Sequence, residues 1–111
     1  MVVNSLSAET TDDVFHALAD STRRDIVRTV LVDEHSVSAL ARRYPMSFAA
    51  VHKHVAVLER AGLVTKHRRG RESLVRGVID RVRDAQRALD ALEQLWRDRV
   101  AKMDQILAED P

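Results

Sequence analysis

The sequence predicts a mostly α-helical protein with one small β-hairpin, and three observations support this prediction. Apolar side chains recur at helical spacing through most of the 111 residues. Only three Gly and two Pro interrupt the chain. The one segment with strand character is short and surrounds Arg69-Gly70-Arg71. The predicted order of elements is therefore α-α-α-α-β-β-α, in a single domain that spans residues 1–111.

The first two predicted helices lie before residue 33. A short first helix over residues 11–19 places four apolar side chains on one face: Val14, Phe15, Leu18 and Ala19. The segment Asp20-Ser21-Thr22 offers an N-cap for the second helix. Its inward stripe is predicted to hold Ile26, Val27, Val30 and Leu31. Its outer face is predicted to hold Arg23, Arg24 and Arg28.

A turn at Pro45 separates the third helix from the fourth. Ser36 suits the N-cap position of the third helix, whose single apolar stripe consists of Val37, Leu40, Ala41 and Tyr44. Proline disfavours helical backbone at the residue before it, so the third helix should stop at Pro45. Ser47 then caps the next helix. Two helices joined by so short a turn indicate helix-turn-helix geometry.

The fourth helix, from Ser47 to Ala61, has the features of a DNA-reading helix. A step of about 100° per residue groups Phe48, Val51, Val55 and Leu58 on the inward side. The opposite side is small and basic, with Ala49, Lys53 and Arg60. Small side chains let a helix enter the major groove, where Lys53 can donate to guanine or to phosphate. The helix amino terminus, with the Ser47 hydroxyl, also suits a phosphate.

A basic hairpin follows this helix. Gly62 ends the helix, and the segments Leu63 to Arg68 and Glu72 to Arg76 are predicted as two short strands. Three arginines therefore crowd the hairpin tip: Arg68, Arg69 and Arg71. Clustered guanidinium groups on an exposed tip favour a polyanionic partner, either phosphates or a narrow minor groove. We call the hairpin of residues 63–76 the wing.

Formal charge is distributed unevenly along the chain. Residues 1–41 carry three Arg against seven acids, a net charge of −4. Residues 42–76 carry nine bases against two acids, a net charge of +7. Residues 77–111 carry six bases against eight acids, a net charge of −2. An anionic partner for the middle third explains this distribution better than a merely solvated basic face does.

The last predicted helix, residues 78–109, is longer than a domain of this size needs, at about 48 Å. Its apolar stripe includes Val82, Ala85, Leu89, Leu92, Trp96, Val100, Met103 and Leu107, and it is widened by Leu95 and Ile106. So wide a stripe favours pairing with a second copy in a symmetric dimer. The alternative is that the helix packs entirely against its own domain.

Several kinds of chemistry are excluded or disfavoured by composition. The chain has no cysteine, so it has no disulfide, no thiolate metal site and no cysteine nucleophile. Its amino terminus lacks a signal pattern and it has no long apolar run, which predicts a cytoplasmic protein without a membrane partner. There is no glycine-rich phosphate loop and no plausible Ser/His/Asp set, so an enzyme is not expected.

Four fragments in order resemble the ArsR family of bacterial winged helix-turn-helix repressors over roughly residues 11–100. They are ALADSTRRDIV at 17–27, VSALA at 37–41, Met46-Ser47 with VHKHVAVLERAGLV at 51–64, and Gly70-Arg71 at the wing turn. The resemblance implies a homodimeric repressor of transcription. Its recognition helices enter successive major grooves of an operator, and its wings touch the flanking backbone.

The resemblance also implies site residues. The DNA-facing positions of the fourth helix would be Ser47, Phe48, Ala49, Ala50, His52 and Lys53. Phe48 stands where the family usually has a polar residue, and the sequence leaves open whether it faces DNA or the core. The first and last helices would form the dimer interface, for which the sequence offers Phe15, Leu18, Leu89, Leu92 and Trp96. His54, at the family's usual histidine position, is expected to support the recognition helix from its boundary face.

The family's best-known members sense metals, but this chain lacks the corresponding ligands. Asp80 and Asp84 are present in the last helix, yet residues 77–111 contain no histidine, and carboxylates alone make a poor zinc or nickel site. The chain is therefore expected to belong to the metal-independent members, with no cofactor and with an unidentified effector. Two alternatives remain open. One is a metal- or small-ligand-sensing repressor with its effector site at the dimer interface, and the other is a winged helix whose basic face binds an acidic protein.

Overall fold

The computed structural model describes the backbone of residues 2–109 and the side chains of residues 9–109. The helices are α1 (Val2–Leu18), α2 (Ser21–Val32), α3 (Val37–Ala41), α4 (Phe48–Arg60) and α5 (Ile79–Glu109). The strands are β1 (His35–Ser36), β2 (Val64–Arg69) and β3 (Glu72–Gly77). None of the helices between residues 2 and 109 combines the length and the apolar character that a membrane crossing requires.

The hydrophobic core lies where α1 to α4 meet the sheet and the first turns of α5. Its largest fully buried side chains are Val14, Ile26, Leu40, Val51, Val55, Leu58, Leu63, Val64 and Val75. The helices contribute most of the apolar positions that their periodicity indicates, and the predicted stripes of α3 and α4 account for much of this set. The core therefore fixes α4 by one side and leaves its other side exposed.

The first two helices differ from the prediction in three respects. Helix α1 begins at Val2, nine residues before the predicted start, because no capping residue or Pro marks the true boundary in the sequence. Phe15 is 37% exposed and Leu31 is 39% exposed, so neither is a core residue. Arg23 is half-buried and not on the outer face, because its guanidinium donates to backbone carbonyls at the end of α1.

The turn between α3 and α4 begins earlier than predicted. Helix α3 ends at Ala41, and the Arg43 N–H donates to the Leu40 carbonyl at 3.0 Å to close the turn before Pro45 is reached. Tyr44 is half-buried against the core, and its hydroxyl donates to Asp25 Oδ2 at 2.7 Å. The Ser47 hydroxyl caps α4 as predicted and accepts from the Ala50 N–H at 3.1 Å.

The sheet has three antiparallel strands in the order β1-β3-β2, one strand more than the sequence predicts. Strand β1 pairs His35 with Val75 and Ser36 with Leu74. Two residues are too few to show alternation, and Ser36 also caps α3, so the strand leaves no sequence signal of its own. The remaining predicted elements, a wing hairpin and a long final helix, are confirmed.

Only the first part of α5 packs on its own domain. Ala85 is buried and Val82 is half-buried, and this part of the helix lies against α1. Every residue from Leu89 to Glu109 is exposed. The whole molecule measures 73 × 34 × 20 Å because this helix projects from the compact part. The alternative in which the final helix packs entirely against its own domain is therefore wrong.

Candidate nucleic-acid interface

Helix α4 presents one polar side to solvent, and the core holds the other. Val51, Val55 and Leu58 are buried, which fixes the rotation of the helix about its axis. Among the predicted DNA-facing residues, Ser47, Phe48, Ala49, His52 and Lys53 are exposed and Ala50 is half-buried. The structure therefore places these six residues together on the accessible part of the helix.

Phe48 belongs to the exposed side of α4, and this decides between the two directions that the sequence left open. The ring is 53% exposed, and its centroid lies 6.2 Å from the centroid of the His52 ring. It occupies the first position of the helix, directly after the cap Ser47. An angular step of 100° places it near the border between the two sides, so the sequence alone could not decide its direction.

Helix α4 ends in a capping arrangement that directs the chain into the wing. Gly62 has a φ of 77°, its N–H donates to Glu59, and the Leu63 N–H donates to Leu58. These are the two hydrogen bonds of the Schellman motif, which favours glycine because φ is positive. Helix α4 and β2 are thus joined with only Ala61, Gly62 and Leu63 between them.

The wing turns at Gly70 and Arg71, between the paired residues Arg69 and Glu72. Gly70 has a φ of 63° and no non-glycine residue described has a positive φ, which is the pattern of a type II′ turn. Arg68, Arg69 and Arg71 are all exposed, as predicted for the tip. The hairpin therefore carries three guanidinium groups into solvent, two at the end of β2 and one in the turn.

An open groove of about 580 Å³ lies between α4 and the wing. Its lining includes Phe48 and His52 from the helix and Lys66, His67, Arg68 and Arg71 from the hairpin. One of the two acids that line it, Glu59, forms an ion pair, with its Oε1 atom 3.8 Å from Lys66 Nζ. The helix and the wing therefore form one continuous, mainly cationic surface.

Two acidic residues that sequence reasoning missed hold the wing in place. Glu34 Oε2 accepts from Arg76 Nη2 at 3.0 Å and lies 3.4 Å from His67 Nε2. Glu59 pairs with Lys66, as described above, and so connects the end of α4 to β2. Both pairs join residues of different elements, and no short-range spacing in the sequence reveals them. They connect the wing to the segment after α2 and to the end of α4.

His54 supports α4 from its boundary side, as expected. It is half-buried, with its Nδ1 atom 3.3 Å from Arg23 Nη1 and 4.0 Å from Asp20 Oδ2. Asp20 caps α2 by accepting from the Arg23 N–H at 3.0 Å, and this hydrogen bond lowers the pKa of the Asp20 carboxyl. The recognition helix is thereby attached to the junction of α1 and α2.

The carboxylates of α5 form ion pairs within the helix. Asp84 pairs with Arg81 and Arg87, and Asp80 Oδ1 lies 3.8 Å from Arg83 Nη1. Among the residues that the structure describes, no group of three or more His, Asp or Glu side chains has the arrangement of a metal site. A metal-sensing form of the protein is not favoured by this arrangement.

The predicted dimer residues fall into two groups. Leu89, Leu92 and Trp96 are exposed on the projecting part of α5, with Leu92 at 64% and Trp96 at 59%. Phe15 on α1 is also exposed, whereas Leu18 is half-buried and packs against the protein's own core. Leu18 thus has less surface free for a partner than the other four residues. Helix α1 lies beside α5, so the two can contribute to one surface.

The helix-turn-helix, the hairpin that follows it and their shared cationic surface define a winged helix-turn-helix protein. Comparison with known proteins agrees, because residues 18–67 match a family described as a helix-turn-helix domain. The chain is 42% identical over 67 residues to YuzN of Bacillus subtilis (strain 168), described as an uncharacterized HTH-type transcriptional regulator. That match covers 54% of this chain and 73% of YuzN.

Solved structures extend the similarity over most of the chain. An ArsR-like transcriptional regulator from Rhodococcus sp. RHA1 is 33% identical with a TM-score of 0.76, over 89% of this chain and 93% of that one. A homodimeric winged helix-turn-helix DNA-binding domain from Mycobacterium bovis, described as a possible ArsR-family transcriptional regulator, is 26% identical with a TM-score of 0.65. That match covers 85% of this chain and 83% of the other. The chain belongs to the ArsR family of winged helix-turn-helix transcriptional regulators.

Proposed function

We propose that this regulator is a homodimeric repressor that binds an operator by two kinds of contact. The helix of residues 47–61 reads base pairs in the major groove, and the wing of residues 63–76 contacts the flanking backbone or the minor groove. The contacting residues are Ser47, Phe48, Ala49, Ala50, His52, Lys53, Arg68, Arg69 and Arg71. No cofactor and no catalytic step form part of this function.

The observation that supports the proposal most strongly is the shared groove between α4 and the wing. Side chains of both elements line it, and its cations outnumber its acids. A helix in the major groove of B-DNA and a hairpin in the neighbouring minor groove have one phosphate strand between them. A cationic groove between these two elements suits that strand, because phosphate contacts fix the register of a protein on DNA.

The side chains of α4 and of the wing suit the two elements to different roles in DNA binding. Ala49 and Ala50 are small, so the backbone of α4 can approach base edges closely, and the exposed Lys53 can donate to guanine O6 or N7. Guanidinium groups on the wing tip suit phosphate oxygens, which are the same in every sequence. We therefore assign sequence discrimination to α4 and general affinity to the wing.

The exposed stripe of α5 supports dimerisation. Leu89, Leu92, Trp96 and several later apolar residues are exposed along the projecting part of the helix. The solved relative from Mycobacterium bovis is described as homodimeric. Because dimers read two half-sites about one helical turn apart, pairing through α1 and α5 would present two copies of α4 to successive major grooves.

Repression would follow from occupancy, since a dimer that covers a promoter excludes polymerase from the same DNA. A protein with this role acts where the chromosome is, which is consistent with a cytoplasmic location. The effector that releases the dimer stays unassigned.

Fluorescence anisotropy tests the proposal with DNA that the purified protein selects from a random pool. We expect the selected duplex to bind at least about 10³-fold more tightly than a scrambled duplex of the same composition at physiological salt. We also expect affinity to fall steeply with salt, by a log-log slope of about −0.9 per phosphate contacted. Failure to enrich any sequence, together with a flat salt dependence, would contradict the proposal.

Plain DNA as competitor separates this function from binding of an acidic protein. An operator-binding dimer should release a labelled scrambled duplex when unlabelled operator is added at physiological salt. A chain whose basic surface is reserved for a protein would not distinguish operator from scrambled competitor.

A further inference from the structure

One side chain on the reading surface of α4 is of a different chemical type from its neighbours. Phe48 is 53% exposed, although the residues around it on this surface are small, polar or cationic. Val51, Val55 and Leu58 already fill the contact between α4 and the core. The Phe48 ring therefore contributes little to the core and leaves a large apolar surface in water.

The Phe48 ring lies next to the ring of His52, one helical turn away. Its centroid lies 6.2 Å from that of His52, and the two ring planes are inclined by 32°. This distance lies within the range of tilted aromatic pairs, which are favourable and restrict ring rotation. Both rings line the groove between α4 and the wing. A ligand in this groove would therefore meet a fixed aromatic surface next to cationic side chains.

The chemistry of the major groove offers one apolar group to such a surface. Base edges there present hydrogen-bond donors and acceptors, and only thymine adds an apolar C5 methyl group. Phe48 occupies the first position of the helix, after the cap Ser47, and recognition helices contact base edges with their amino-terminal residues. The flanking Ala49 and Ala50 have too little side chain to keep the helix away from the base edges.

We propose that Phe48 is a specificity-determining residue that contacts the C5 methyl group of a thymine in each operator half-site, with its ring oriented by His52. This inference rests on the proposed operator binding by α4. Burial of one methyl group corresponds to about fourfold in affinity per half-site. A symmetric dimer makes the contact twice, so the two methyl groups together correspond to about fifteenfold.

The test replaces individual operator thymines by deoxyuridine, which removes only the methyl group. Binding of wild type, Phe48→Leu and Phe48→Ala is measured by anisotropy on the natural operator, on each substituted operator and on a scrambled duplex. We expect one thymine per half-site at which the substitution lowers the affinity of wild type about fourfold. Substitution in both half-sites together should lower the affinity about fifteenfold. Phe48→Leu keeps an apolar contact and should retain most of this sensitivity, whereas Phe48→Ala should lose it.

Two results would overturn the inference while the proposed function still stands. Wild type could show no methyl-sensitive thymine although it prefers the operator to the scrambled duplex. Alternatively, Phe48→Ala could keep the same sensitivity at the same thymine. The substituted DNA tests the contact on unmodified protein, so the outcome does not depend on how Phe48→Ala folds. Loss of preference for the unmodified operator in wild type would instead contradict operator binding itself.

Discussion

The guanidinium of Arg23 connects the end of α1 to the middle of α4, with its Nη1 atom 3.3 Å from Nδ1 of His54. Its Nε donates to the Ala17 carbonyl at 2.6 Å and its Nη2 donates to the His16 carbonyl at 3.2 Å. Arginine stays protonated and can only donate, so the His54 Nδ1 atom accepts. One side chain of α2 thus fixes the helix proposed for dimer contact relative to the helix proposed to read DNA.

Substitution of Arg23 should destabilise the protein more than substitution of its neighbour. Arg23→Met keeps the aliphatic stem and removes the donors to two carbonyls at the end of α1 and to His54 Nδ1 on α4, so we expect a loss of about 2–3 kcal/mol in the free energy of unfolding. Arg24→Met is the matched control, because exposed Arg24 donates only to the Leu18 carbonyl. We expect a loss below about 1 kcal/mol for the control.

Urea unfolding followed by circular dichroism measures both variants. Equal losses of unfolding free energy for Arg23→Met and Arg24→Met would contradict the prediction. They would show that the contacts of Arg23 with α1 and α4 stabilise the protein no more than the single contact of Arg24 does.

Tyr44 should make stability depend on alkaline pH. Burial and the hydrogen bond to Asp25 raise the pKa of the Tyr44 hydroxyl above its usual value of 10.0. The unfolded chain then releases this proton at lower pH than the folded protein does. The stabilisation is therefore complete below pH 10 and is lost as pH rises through the folded-state pKa.

The variant Tyr44→Phe isolates this effect. At pH 7 we expect this variant to lower the free energy of unfolding by about 1 kcal/mol, the typical net contribution of one hydrogen bond. Above pH 10 the difference between wild type and Tyr44→Phe should shrink. Unfolding measured from pH 7 to 11 tests the prediction, and a difference that stays constant or grows over that range would contradict it.

Substitution by alanine should destabilise the protein at two glycines, for a different physical reason at each. A Cβ atom on Gly77 would lie 2.8–2.9 Å from three atoms of Leu31, one of them its backbone Cα, so α2 or β3 must move. Gly70 has open space but a φ of +63°. We expect Gly77→Ala to cost about 3 kcal/mol through overpacking and Gly70→Ala about 1 kcal/mol through backbone strain.

Thermal and urea unfolding rank the two glycine variants. Gly70→Asn is a useful control, because asparagine tolerates positive φ and should restore most of the stability that Gly70→Ala loses. A smaller loss at Gly77 than at Gly70 would mean that Leu31 yields without displacing α2.

Local sequence predicts much of the candidate interface, whereas the remaining features depend on contacts between distant residues. Ser47 and Gly62 are residue types with strong positional preferences, so the bounds of α4 could be predicted to within a residue. Gly70 marks the hairpin turn in the same way. By contrast, the contacts of Arg23 are with carbonyls of another helix, and every residue carries a carbonyl, so no residue pattern reveals them. Their discovery required the tertiary structure.

Two further errors have separate causes. Strand β1 has only His35 and Ser36, and it exists because β3 lies alongside them. Its formation depends on a residue pair about forty positions apart, which periodicity cannot detect. Leu31 was predicted to face the core but is exposed, because a helical wheel gives an angle but not the depth of the core at the helix end.

A charge on the exposed stripe of α5 should disrupt the proposed dimer. Leu92→Asp places a carboxylate in the middle of the surface that we assign to the partner copy, and burial of an unpaired charge is costly. We expect a monomer in sedimentation equilibrium at micromolar concentration and the loss of operator binding. Ala101→Asp adds the same charge on the opposite side of α5 and should remain dimeric. Wild type that is monomeric at this concentration would contradict the assignment.

The central claim, that α4 reads sequence while the wing holds the backbone, is tested most directly by comparing Lys53→Ala with Arg69→Ala on operator and scrambled DNA. The account predicts that Lys53→Ala reduces operator affinity much more than scrambled affinity, by about 1–3 kcal/mol of discrimination. It predicts that Arg69→Ala weakens both by the same factor and reduces the salt slope by about one. Identical binding profiles for the two variants would contradict it.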